Sequence, residues 1–128
     1  MTGDRGQALV LAVLALALAA TTIVGLQAAQ DRILLDARER RAGEAAVEAA
    51  GTALADALLG STGSLEELVA DPLVIERAEA AANSLSAANG GLPVHDLTIG
   101  VGTQTLDVSL RMGAHLHRAS IGTACCPR

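Results

Sequence analysis

The sequence predicts an α+β chain: a long N-terminal transmembrane helix continuing into an extramembrane helix, a second helix, and a C-terminal antiparallel β-hairpin. Three observations carry this. Residues 6–30 contain no charge. Strong helix formers (Ala, Leu, Glu and Arg) dominate residues 31–59. From Leu97 onward the apolar residues recur every second position, the period of a half-buried strand. The chain divides accordingly into a short tail (1–6), a transmembrane helix (7–30), a helical stalk (31–60), short helices (64–90), a hairpin or small sheet (94–124) and a terminal tail (125–128).

The first element is read from length and content. Ala8 to Ala29 is a 22-residue stretch with six Leu, three Val, one Ile and eight Ala. A helix of that length reaches about 33 Å, enough for a hydrocarbon core of about 30 Å. Its ten strongly apolar residues favour insertion by roughly 3–6 kcal/mol. Thr21 and Thr22 take little of this back, because their hydroxyls can donate to carbonyls one turn earlier. A competing reading is a cleaved secretory signal, since Ala17-Leu18-Ala19 has the small-x-small form of a peptidase site. The apolar run continues well past that point, which favours an anchor.

Beyond the anchor, Val47, Ala50, Leu54, Ala57 and Leu58 form an apolar stripe at three- and four-residue steps. Gly43 and Gly51 are weak points in this helix, each costing about 1 kcal/mol relative to Ala. Two small-residue ridges run along it: Ala42, Ala46 and Ala50, then Ala49, Ala53 and Ala57. Such spacing lets helix backbones approach closely. Ala42, Ala46, Ala50, Ala53 and Ala57 are therefore the candidate helix-packing residues, with packing against another helix in the membrane assembly as the functional reading.

Gly60-Ser61-Thr62-Gly63 ends the stalk. Ser64-Leu65-Glu66-Glu67 is a capping box opening a short turn to about Ala70. Asp71-Pro72 then supplies an N-cap and Pro at the first helical position, and this helix should run to Ala88 and stop at Asn89-Gly90-Gly91. Leu97, Ile99 and Val101 make one strand; Leu106, Val108, Leu110 and Met112 make its partner across Thr103-Gln104. A lone hairpin is marginal, so its apolar face should lie on the Pro72–Ala88 helix or on the lower stalk. Leu116 to Ala124 is expected to add a third, weaker strand.

Composition limits function. The hydrophobic fraction is 51%, yet there is no Phe, Trp or Tyr, so the core must be thin. A net charge of −5 argues against nucleic acid, which requires a clustered basic face. His115 and His117 would share a strand face near Cys125 and Cys126, but no zinc-ligand spacing is present and no metal or other cofactor is expected. His95-Asp96 are neighbours in sequence and alternation would put them on opposite faces. No G-x-S-x-G, P-loop or G-x-G-x-x-G occurs, so neither catalysis nor a small-molecule substrate is expected. Cys125 and Cys126 read as a loose near-terminal pair or, more sharply, as thiols for a bridge to a neighbouring subunit.

Asp4-Arg5-Gly6-Gln7-Ala8-Leu9-Val10-Leu11 resembles the start of TadE/TadG-like proteins of the tight-adherence (Flp) pilus system. Asp36 to Ala46, an Arg-bearing, Ala-rich helix, and Ala87-Ala88-Asn89-Gly90 leading into alternating strands are similar to the same family. The resemblance implies a minor pilin-like component of a bacterial pilus-assembly or secretion apparatus in the cytoplasmic (inner) membrane. Its partners would be the lipid bilayer and other subunits of the apparatus, and its C-terminal domain would be extracytoplasmic. Two features depart from the pattern. Prepilin-type processing would fall after Gly6, yet the fifth residue beyond it is Leu11, where pilins carry Glu. Arg32, Arg38, Arg40 and Arg41 outnumber Arg5 across the segment, which by the positive-inside rule points the C-terminal side to the cytoplasm. Two alternatives follow: a signal-cleaved secreted or periplasmic binding module, and a regulatory single-pass protein with a cytoplasmic domain.

Overall fold

The computed structural model describes residues 3–123. Its elements are α1 (Gly3–Gly60), α2 (Leu65–Ala70), α3 (Pro72–Ala88), β1 (Val94–Val101), β2 (Thr105–Met112) and β3 (His115–Gly122). The chain forms two compact units, Met1–Asp36 and Ala37–Arg128, and α1 contributes to both. In the first unit α1 is helical throughout, and the hydroxyls of Thr21 and Thr22 donate to the Leu18 carbonyl at 2.9 and 2.7 Å. The two threonines thus satisfy their own polarity, as their position on an apolar helix requires.

In the second unit the helix boundaries are chemical. Ser64 Oγ accepts from the Glu67 amide at 3.2 Å, and the Glu67 carboxylate accepts from the Ser64 amide at 3.2 Å, closing the capping box. Asp71 Oδ1 accepts from the Leu73 amide at 2.9 Å, with Pro72 in the first turn where a missing N–H costs nothing. The end of α3 is a Schellman turn. Gly90 has φ +71, its amide donates to Ala87, and the Gly91 amide donates to Ser86 at 2.8 Å.

The sheet is antiparallel with order β1-β2-β3. The expected hairpin is β1–β2. The third strand is a full member rather than a weak addition, pairing with β2 at eight positions from Met112↔His115 to Thr105↔Gly122. It begins one residue before the expected Leu116 and ends at Gly122; Ala124 lies outside the described residues. Gly113, with φ +57, makes the tight two-residue turn between β2 and β3.

One irregularity sets the inward face of β1. Between His95↔Arg111 and Thr98↔Ser109, two residues of β1 oppose Leu110 alone, and Asp96 there takes φ +53. This bulge lets Val94, an even-numbered position, face inward together with Leu97 and Ile99. It also overturns the simple alternation expected for His95-Asp96. Asp96 reaches Arg111, the register partner of His95, at 3.8 Å.

The core lies on the helix side of the sheet. Ala46, Val47, Ala50 and Leu54 of α1, Ala78 and Ala82 of α3, and Val94, Val108 and Leu110 of the sheet form one cluster. The apolar face of the strands therefore covers both of the surfaces anticipated for it. Polar clamps hold the edges. Asn83 Oδ1 accepts from the Val94 amide at 2.8 Å, and Ser86 Oγ donates to the Leu92 carbonyl at 2.7 Å beside Met112 Sδ at 3.1 Å. Its largest fully buried side chains are Leu and Met, so thin helix–sheet contact does the work that aromatic rings perform elsewhere.

Candidate functional site

The first candidate surface is the apolar stretch of α1. Every residue from Gly6 to Leu35 is exposed, and no part of the apolar stretch is buried by protein. Leu9 is 67% exposed, Leu16 71% and Leu26 60%. Exposed aliphatic surface on this scale has no aqueous explanation in a monomer, where apolar patches rarely exceed a few hundred Å². The helix is long and apolar enough to cross a membrane once. Its uncovered apolar surface runs past Gln30, the end expected from the sequence. Ile33, Leu34 and Leu35, beyond Asp31-Arg32, are 68%, 56% and 57% exposed.

The second is the small-residue ridge in the other unit. Ala42, Ala46 and Ala50 are fully buried, while Ala53 and Ala57 are half-buried. Ala46 and Ala50 share the core with Ala78 and Ala82 of α3, which repeat the same four-residue spacing. A Cβ on Gly91 would come within 2.6 Å of the Ala42 Cβ, so that end of the ridge is closed too. Ala42, Ala46 and Ala50 are thus covered within the chain's own domain, by α3, the sheet and the turn at Gly91.

Gly43 and Gly51, which propensity marks as weak points, are notches in the same face. An added Cβ at Gly43 would overlap the His117 ring, and one at Gly51 would lie 2.9 Å from Ile121 Cδ1. Eight helical residues advance about 12 Å and four strand residues about 13 Å, so the two pairs are in step. Because 43 meets 117 and 51 meets 121, α1 and β3 run in the same direction. Sequence reading missed this pairing. The signal available was two glycines eight apart inside an otherwise ideal helix.

The two inward histidines sit at the same place. The rings of His115 and His117 are 6.3 Å apart, and His115 Nε2 is 4.0 Å from the Glu39 carboxylate on α1. Burial and the neighbouring His115 both push the His117 pKa below its ordinary value. No group of three or more His, Cys, Asp or Glu able to hold a metal occurs among the described residues. On the opposite face, Thr98-Ser109-Arg118 and Gly100-Asp107-Ser120 form two cross-strand rows lining an open, shallow concavity. Cys125 and Cys126 lie outside the described residues.

No family model, curated protein or solved structure matches the chain.

Proposed function

We propose that this chain is a non-enzymatic, single-pass membrane protein, and that it serves as a minor pilin-like component of a Tad/Flp-type pilus-assembly or secretion apparatus. The observation that carries the anchor is that every aliphatic side chain from Leu9 to Leu35 is exposed, a surface that only a lipid environment or another apolar surface would cover. The assembly role is supported by the resemblance of Asp4 to Leu11, Asp36 to Ala46 and Ala87 to Gly90 to TadE/TadG-like sequences. In this reading the bilayer and neighbouring subunits are the partners, the membrane is the bacterial cytoplasmic membrane, and the domain from Ala37 onward is extracytoplasmic.

The arginine excess after the anchor favours the opposite topology, a regulatory protein with its domain in the cytoplasm. One experiment separates them. Cys125 and Cys126 are the chain's two cysteines, so a membrane-impermeant thiol reagent applied to intact spheroplasts labels the full-length protein only if the domain is outside. Labelling only after lysis overturns the pilin-like orientation. Recovery of the uncut chain in the aqueous fraction after detergent-free lysis overturns the anchor itself.

A further inference from the structure

His117 is an unusual occupant of its site. The residue is 9% exposed, and among the described residues its Nε2 is the buried side-chain nitrogen or oxygen without a hydrogen-bond partner. A buried polar atom left unpaired calls for an explanation, since an aliphatic residue would fill the space without that penalty. The space is specific as well: the ring enters the notch that Gly43 leaves in α1, and no side chain larger than hydrogen at position 43 leaves room for it.

We propose that the His117–Gly43 contact is a proton-sensitive latch between β3 and α1, in which protonation of the imidazole expels the ring from its notch and loosens the strand from the helix. A neutral imidazole carries one N–H; the imidazolium carries two, so its Nε2–H becomes a charged donor with no acceptor. The surroundings add to this. His115 on the same strand, with its ring 6.3 Å away, and Arg40 on α1 disfavour the second charge, whereas Glu44 on α1 favours it. Glu39 on α1 faces His115 at 4.0 Å. From β2 the cross-strand partner is Leu110, which is apolar. Burial is the largest influence, and the balance lowers the His117 pKa from 6.5.

The sign follows from linkage. With the folded-state pKa below the unfolded one, the unfolded chain binds the proton first. The latch is fully closed above pH 6.5, and its contribution declines as pH falls from there toward the folded-state value. This device operates whichever side of a membrane the domain faces and does not rest on the pilus reading.

The test uses the full chain in detergent micelles. Histidine side-chain NMR follows the titration of the His117 imidazole in the folded chain and in the same chain unfolded by urea. His117 is expected to titrate lower in the folded chain than in the unfolded one. Amide-exchange protection of Leu116–Ile121 is expected to fall by about fivefold or more between about pH 7.5 and 5. His117→Leu and His117→Gln should each remove most of that fall, while His115→Gln should retain it. A folded-state His117 midpoint at or above its unfolded-chain value overturns the proposal. So does a fall in protection that persists undiminished in both His117 variants. Should neither variant fold, the titration of the wild-type protein decides alone.

Discussion

Replacing Leu54 with Ala tests whether the thin core described above is where the domain's stability resides. Leu54 is fully buried, in one cluster with Ala46, Ala50, Ala78 and Ala82. These four alanines are too short to swing into the space that a lost isobutyl group would leave, and the cluster's larger members, Val47, Val94, Val108 and Leu110, are β-branched or already fully buried. The cavity should therefore persist, which places the loss in the upper part of the usual Leu→Ala range, about 3–5 kcal/mol. Leu59, five residues on and 74% exposed, is the internal control, and its replacement should change stability by less than about 0.5 kcal/mol. For a domain of roughly this size 1 kcal/mol shifts Tm by about 4–8 °C, so Leu54→Ala should lower Tm by at least about 12 °C and Leu59→Ala by less than about 4 °C. With no Trp, Tyr or Phe the chain offers no aromatic signal, so unfolding is best followed in micelles by the amide I infrared band of the sheet. Equal Tm values for the two variants would refute the assignment of the core.

Gly43→Ala gains about 1 kcal/mol of helix propensity but overlaps the buried His117 ring, at the upper end of the usual strain of about 1–3 kcal/mol, so it should lower Tm; Gly51→Ala needs only a small shift of the Ile121 Cδ1 end and Gly25→Ala faces open space, so neither should lower it. Ser64→Ala and Asp71→Ala each remove a cap and should destabilise the domain by about 0.5–2 kcal/mol, read from urea unfolding with an unchanged m-value. Ala46→Leu enlarges a side chain that is fully buried and should cost about 1–3 kcal/mol, measured as lost amide-exchange protection at Val108 and Leu110 before any partner is added. Leu18→Arg places a charge at the middle of the apolar stretch and should reduce insertion by about 3 kcal/mol, seen as a larger alkali-extractable fraction.

Most helix boundaries were legible because they rest on local chemistry. Ser64 with Glu67, Asp71 with Pro72, and Asn89-Gly90-Gly91 each name their turn within four residues, and each turn forms as read. The third strand is faint in the sequence for a reason visible in its inward face. His115, His117, Ala119 and Ile121 alternate correctly, but two histidines do not read as apolar and the alanine adds little apolar area. The Asp96 bulge was hidden because it adds one residue to β1, and its effect, turning Val94 inward, appears only against β2. At the candidate site, the apolar helix was plain from composition, whereas the small-residue ridge announced close packing without saying against what. Ala42, Ala46 and Ala50 find their contacts in residues more than 25 positions away, which spacing along one helix does not reveal.

The paired notches at Gly43 and Gly51 act as a gauge, and a gauge constrains length. One residue inserted between them would swing the downstream glycine by about 100° and carry it away from Ile121, so that interval is fixed in register. From Gly6 to Leu35, where every residue is exposed, no such bookmark exists. The oily segment is thus free to grow or shrink to suit bilayers of different thickness, while the stretch that grips β3 keeps its count.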